Sequence, residues 1–147
     1  MQYLPTSCQQ LNQFYKQNKD KARAKPQDFM YAAINDEGKT CAVLRLLPYG
    51  TSNDTHDDPF LFLRSVLTSS GHRGQGIASN LILYALKQHG DMPTFTLPTP
   101  LAIPLYQRLG FKAVINAEIP APLLASYRRF RHGDKDSRVM VINSRLG

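Results

Sequence analysis

The stretch Arg73-Gly74-Gln75-Gly76-Ile77-Ala78 combines residues suited to holding an anion. It follows an apolar run, Leu61 to Leu67, and a turn-forming Ser69-Ser70-Gly71. It leads into apolar residues at helical spacing, so the pattern reads as strand, glycine-rich loop and helix. Glycines at 74 and 76 let the backbone turn tightly and approach a ligand. The N–H groups that open a helix, with the positive end of its dipole, favour a phosphate. Arg73 adds a permanent positive charge beside them. A glycine turn before a helix is also a common plain connection, so the register matters. The spacing lacks the Gly-x-Gly-x-x-Gly of a dinucleotide-binding fold and the Gly-Lys-Ser/Thr ending of a P-loop.

Arg64 is a charge inside an otherwise apolar strand, where Leu61, Leu63, Ser65 and Leu67 should share one face and Phe62, Arg64 and Val66 the other. Facing a cleft, Arg64 would be a substrate-binding residue that takes a carboxylate bidentately; the alternative is a structural ion pair. Asp54, His56, Asp57 and Asp58 lie on a polar loop before the strand and could accept a proton, although such loops are usually only solvated.

The order Arg73-x-x-Gly76-x-Ala78 completes the signature Arg/Gln-x-x-Gly-x-Gly/Ala, and the segment resembles the acetyl-CoA-binding segment of the GNAT (Gcn5-related N-acetyltransferase) superfamily. Leu105-Tyr106-Gln107-Arg108-Leu109-Gly110-Phe111 resembles a second segment of that family, with a tyrosine four residues ahead of Gly-Phe on a helix. The two stand in the family's order with one strand between them, and the resemblance covers Thr40 to Phe111.

The resemblance implies an enzyme that moves the acetyl group of acetyl-CoA, used as co-substrate and with no metal, to a primary amine. It implies that Arg73, Gly74, Gln75, Gly76, Ile77 and Ala78 hold the pyrophosphate. Val66, Leu67 and Thr68 would pair their backbone with the pantetheine arm, and Tyr106 would give a proton to the departing thiolate, as a phenol with a reference pKa of about 10 can. His72 would support the cofactor. Many members carry asparagine seven residues before the tyrosine; here Thr99 stands there and can still hydrogen-bond cofactor, while Ala102 fits the family's alanine. Leu63-Arg64-Ser65-Val66, Glu118-Ile119-Pro120-Ala121-Pro122 and Ser137-Arg138-Val139-Met140 resemble a small bacterial branch with arsenic-resistance-associated and amino-acid-acetyltransferase-like members. The expected acceptor is a small molecule, one carrying a carboxylate if Arg64 serves it. The alternatives are a macromolecular acceptor (a protein amine or an aminoacyl-tRNA) and a non-catalytic acyl-CoA-binding or nucleic-acid-binding module.

The elements that must position these residues are those of an α/β domain. At 147 residues the chain suits one domain, spanning 1–147, large enough to bury a core without staples. Cys8 and Cys41 are too few for a metal cluster or a disulfide framework and read as packing residues in a reducing compartment. The opening residues lack a leader pattern, and no run approaches about 18 apolar residues, so a cytoplasmic protein without membrane association is expected. The net charge of +7 gathers in Lys16 to Lys25 and Arg128 to Arg138. That allows a nucleic-acid partner or an anionic substrate, but no aromatic residues interleave the lysines as a base-stacking platform requires, which favours a solvated surface. Members of the family often form homodimers; no apolar stripe marks an interface.

Thr6 and Ser7 precede Gln9 and Gln10 in capping-box register, predicting a helix over Ser7 to Gln17. Asn18 to Gln27 reads as a charged loop or short helix. Phe29 to Ile34 and Thr40 to Leu47 form a hairpin, and a helix runs from Gln75 to Gln88. Thr94 to Leu97 is a strand, and Leu101 to Leu109 a helix whose regular part starts at Ile103 or Pro104 because of its proline. Phe111 to Ile115 is a strand, Leu123 to Phe130 a short helix, and Val139 to Asn143 the last strand. The expected fold is a mixed central sheet of six or seven strands flanked by helices.

Overall fold

The computed structural model describes residues 1–50, 58–115, 118–130 and 138–142. Among them are strands β1 (Gln2–Pro5), β2 (Phe29–Ile34), β3 (Thr40–Tyr49), β4 (Phe60–Thr68), β5 (Thr94–Thr96), β6 (Lys112–Ala113) and β7 (Met140–Ile142). They form one mixed sheet in the order β1-β2-β3-β4-β5-β7-β6, every neighbouring pair antiparallel except β4 and β5. The helices are α1 (Cys8–Gln17), α2 (Ile77–Lys87), α3 (Ile103–Arg108) and α4 (Ala121–Phe130).

Local chemistry accounts for the helix ends. Ser7 caps α1, its Oγ accepting from Gln10 N at 3.1 Å. The helix predicted from Gln75 starts instead at Ile77, because Gly76 has φ +75° and cannot be a helical residue. Pro100–Ala102 forms a 3₁₀ turn, and α3 begins at Ile103 with Pro104 in its first turn, where a missing N–H costs nothing. Pro122 sits in the same way at the start of α4, which therefore begins two residues earlier than predicted. Residues 18–27 are loop.

β1 has no counterpart in the sequence prediction. Its four residues carry a single tyrosine and leucine and end in proline, which leaves too little alternation to read. As an edge strand paired only with β2 it tolerates Pro5. The strand predicted over Phe111 to Ile115 shortens to two residues, and Phe111 is instead buried against the Tyr106 ring in an edge-to-face contact, centroids 5.2 Å apart.

The sheet is packed on both faces. Ile77, Leu81, Ile82 and Ala85 of α2 meet Leu44, Leu46, Leu61 and Leu63 on one side, joined by Ile103 and Tyr106 of α3. On the other, Leu11, Phe14 and Tyr15 of α1 pack on Ala32 and Val43, while Leu123 and Tyr127 of α4 pack on Phe60, Phe62 and Phe95.

The alternation predicted for β4 does not hold to its end. Opposite β3 the register shifts: Arg45 faces Arg64, but Val43 faces Leu67, so β4 carries one extra residue. This bulge contains Ser65, at φ +54°. It moves Val66 into the cluster of Leu61 and Leu63 and turns Leu67 toward α1, the reverse of strict alternation.

Leu81 is fully buried between α2 and the strands. Leu81→Ala should lower the unfolding free energy by about 2–5 kcal/mol through lost burial and a residual cavity, read as a shift in urea midpoint at constant slope.

Candidate active site

The parallel strands β4 and β5 pair at only three positions, Leu61↔Thr94, Phe62↔Phe95 and Leu63↔Thr96. After that they separate. β4 continues through the bulge to Thr68, while β5 gives way to Leu97-Pro98-Thr99 and the turn before α3. The carboxyl ends of parallel strands are where open α/β sheets place ligands, and the separation opens two adjoining cavities there.

The first, of about 420 Å³, is lined by β4 from Phe62 to Val66, by Thr96 to Thr99, and by Asp20, Ala102 and Tyr106. The second, of about 760 Å³, is lined by Val66, Leu67 and Thr68, by the loop and the first turn of α2, and by Thr99, Leu101, Ala102, Leu105, Tyr106 and Arg108. Val66, Thr99, Ala102 and Tyr106 belong to both walls. Tyr106 thus stands where the two spaces meet.

Of the residues singled out in the sequence, Val66, Leu67, Thr68, Arg73, Gly74, Gly76, Ile77, Ala78, Thr99 and Tyr106 all line the larger cavity. Gln75 is exposed in the loop and is not part of that wall. Arg64 lines the smaller cavity. Asp58 lines a separate apolar hollow with Pro59, Phe60, Pro93, Phe95 and Pro120, at the opposite end of β4, and is not brought to the cleft. Asp54, His56 and Asp57 lie outside the described residues.

The loop is held by its own contacts. Ser69 N donates to Cys41 O at 2.9 Å, Ser69 Oγ and His72 Nδ1 lie 2.7 Å apart, and Arg73 Nε donates back to Thr68 O at 3.2 Å. Gly74 and Gly76 take φ +78° and +75°, conformations that an L side chain rarely adopts, and open space lies where their Cβ atoms would be. Gly76 precedes α2 with no side-chain cap and with no acidic residue in the first turn, so the amide donors that make up the positive end of the helix are not capped by a side chain of that turn. These features, with a β4 edge that has no strand partner on the β5 side from Arg64 to Thr68 among the described residues, fit a ligand made of a phosphate group and an extended amide-bearing arm.

Tyr106 is 6% exposed. Burial raises its phenol above the usual value, a trend that a hydrogen bond with Thr96 opposes. Thr96 Oγ1 also lies 3.2 Å from Leu63 O, to which it donates. Thr96 therefore fastens the last rung between β4 and β5, beside Tyr106 on the cavity wall.

Two contributors carry no signal in the sequence. Tyr15, in the last turn of α1 and fully buried, donates from its OH to Ser65 O at 2.7 Å across fifty positions of chain. It clamps the bulge, and burial pushes its phenol far above the ordinary range, so it stays a donor. Asp20 reads as one carboxylate in a lysine-rich window, yet the loop carries it to the wall of the smaller cavity, with Oδ1 accepting from Ala22 N at 2.7 Å. Among the described residues no group of three or more His, Cys, Asp or Glu side chains could hold a metal ion, and no helix is long and apolar enough to cross a membrane.

Residues 26–113, more than half of the chain, match the model of the acetyltransferase (GNAT) domain. The chain belongs to the GNAT acetyltransferase family. No curated protein matches the sequence. Among solved structures, an aminoglycoside 6'-N-acetyltransferase complexed with coenzyme A is 14% identical, with a TM-score of 0.66 over 98% of this chain and 97% of that one. Arabidopsis thaliana NAA60, in complex with a bisubstrate analogue, is 13% identical, with a TM-score of 0.60 over 97% of each chain. A histone acetyltransferase HPA2 and related acetyltransferase from Corynebacterium glutamicum is 23% identical, with a TM-score of 0.54 over 78% of this chain and 64% of that one, so this chain spans less than two thirds of its length. Likeness at these identities is likeness of the GNAT fold.

The Tyr15 contact is open to test by stability. Tyr15→Phe leaves Ser65 O without its donor and should cost about 1–3 kcal/mol in urea unfolding. Ser65→Gly added to it should restore part of the loss, since glycine takes a positive φ without strain.

Proposed function

We propose that the chain is an N-acetyltransferase that moves the acetyl group of acetyl-CoA to the primary amine of a small molecule carrying a carboxylate. The observation that carries this reading is the position of Tyr106 on the shared wall of the two cavities. The larger cavity suits the cofactor and the smaller one the acceptor, so the phenol faces the place where acetyl group and amine would meet.

The main chain does most of the binding. Arg73 to Ala78 would hold the pyrophosphate through backbone N–H groups at the opening of α2, with the Arg73 charge beside them. Val66, Leu67 and Thr68 would pair with the pantetheine arm along the edge that β5 leaves open, and a backbone N–H at the bulge would hold the carbonyl oxygen of the reacting group. Thr99 stands at the junction with a hydroxyl to offer. When bound, acetyl-CoA supplies an activated thioester.

Side chains handle the protons. Tyr106 donates one to the departing sulfur; being raised by burial, it is protonated throughout the neutral range. Asp20 is the carboxylate that the described residues bring to the acceptor wall, placed to draw a proton from the incoming ammonium. Arg64 lies half-buried on the same wall, able to take the acceptor's carboxylate.

The test is acetyl-CoA-dependent release of free thiol across a panel of amino acids, polyamines, aminoglycosides and a lysine peptide. Tyr106→Phe should lower kcat by about 100-fold or more, the scale of a lost general acid, with KM for acetyl-CoA little changed. Equal turnover in the variant would remove Tyr106 from the chemistry. In the wild type kcat should show no falling limb until above pH of about 10, because the phenol's own ionisation starts higher than its reference value.

A further inference from the structure

The two basic windows of the sequence lie about a hundred positions apart, and the fold brings their described parts to one face. α1 and α4 cover the same side of the sheet. Lys16 in the last turn of α1 and Lys19, Lys21, Arg23 and Lys25 in the loop that follows are all exposed. So are Arg128 and Arg129 in the last turn of α4. The two groups meet around Arg64. That residue shares a hollow with Arg23 and Lys25, and its pKa is lowered by burial, by the charge of Arg45 and, to a smaller extent, by that of Arg129.

Folding sorts the charges of the loop by sign. Asp20 is turned to the wall of the smaller cavity, with Oδ1 accepting from Ala22 N at 2.7 Å. Asp28 is 6% exposed and lies 3.2 Å from Arg45 Nη1 through its Oδ2. The acids go inward and the cations outward, a separation that a window of mixed charges does not reveal. Neither α1 nor α4 contains an acidic residue.

The main chain that carries these cations is tied down. Asn12 grips Ala24 at both backbone groups, its amide donating to Ala24 O at 3.2 Å and its Oδ1 accepting from Ala24 N at 2.6 Å. Arg45 donates to Arg23 O at 2.8 Å, and Lys25 N donates to Asp28 Oδ2 at 2.9 Å. α1 ends in a Schellman turn, in which Lys19 N donates to Lys16 O at 3.1 Å and Asp20 N to Tyr15 O at 2.9 Å. Glycine is the usual residue at the position of Lys19, whose φ is +59°. A lysine there costs backbone strain and gains an exposed charge on a fixed stem.

The character of the face selects its partner. Protein interfaces are built on apolar anchors, and insertion at a membrane surface needs an apolar stripe. The large apolar side chains exposed among the described residues, Met1, Phe29, Leu83, Leu101 and Ile115, all lie outside α1, the loop and α4. What accompanies the cations is carboxamide: Gln9, Gln10, Gln13 and Gln17 are exposed on α1. Ammonium, guanidinium and amide donors without an apolar centre suit phosphates and sugars. Splayed single strands want aromatic stacking platforms, whereas a duplex offers its backbone without them. We propose that this face docks the sugar–phosphate backbone of a double-stranded nucleic acid. The proposal goes beyond the acetyl-transfer reading and does not depend on it.

The test is fluorescence anisotropy with a labelled duplex of about 20 base pairs, as DNA and as RNA. Affinity should fall by about 100- to 1,000-fold between about 50 and about 200 mM salt, the counterion release expected of about four or five phosphate contacts. Lys21→Gln should weaken binding by about tenfold at the lower salt and reduce the salt slope by about one. Lys19→Gly should weaken it similarly while raising the urea midpoint, because glycine relieves the positive φ; a purely structural role would not lower affinity as stability rises. Lys87→Gln, exposed at the end of α2 on the other face, should change neither.

Binding of only one of the two duplexes would keep the proposal and name the source. No duplex binding at the lower salt, or binding unaffected by Lys21→Gln and Lys19→Gly together, would overturn it. So would polyglutamate or phosphatidylserine vesicles bound as tightly as the duplex, which would make an acidic protein or a membrane the partner. Thiol release from acetyl-CoA is read separately, so either reading can fail and leave the other standing.

Discussion

Everything at the site depends on two parallel strands that pair for three residues and then part. β4 and β5 are joined as far as Leu63 and Thr96, and the Thr96 hydroxyl bonded to Leu63 O secures that last rung. Beyond it the extra residue in β4 bends the strand, and Pro98 with the 3₁₀ turn diverts the other side. A sheet that stayed closed would bury the edge of Val66 to Thr68 in a ladder and leave no gap for Tyr106 to border. The opening is the structural event that makes the remaining residues a site.

The bulge is held from behind. Ser65 occupies a conformation that favours glycine, and the restraint comes from α1, where the Tyr15 hydroxyl captures the Ser65 carbonyl. Helix α1 thus does more than cover an apolar face. The buried Arg45–Asp28 ion pair lies close by in the fold and fixes the end of the charged loop, the same loop that brings Asp20 to the smaller cavity. Buried pairs of this kind add little net stability against an apolar alternative, and their use here is positional: they decide where a loop ends.

The sequence is most legible where the chemistry is local. The glycine loop and its helix announce themselves through spacing, because positive φ, helix periodicity and a glycine stop are properties of short segments, whereas Tyr106 stands out through the resemblance of its segment to a family motif. The hairpin and the start of α3 at Ile103 follow from turn and proline chemistry in the same way. Legibility ends where the cause lies far along the chain. The bulge at Ser65 depends on Tyr15, fifty residues away, so strict alternation misplaces Val66 and Leu67. β1 exists because β2 offers it an edge, and Arg45 looks like any strand residue until Arg64 is seen opposite it.

The glycine loop has a consequence for the thermodynamics of association. Donors supplied by the backbone at Gly74 to Ala78 are fixed by the fold before any ligand arrives, and no rotatable side chain has to be immobilised for them to act. A flexible ligand meeting such a cradle would carry most of the ordering entropy itself.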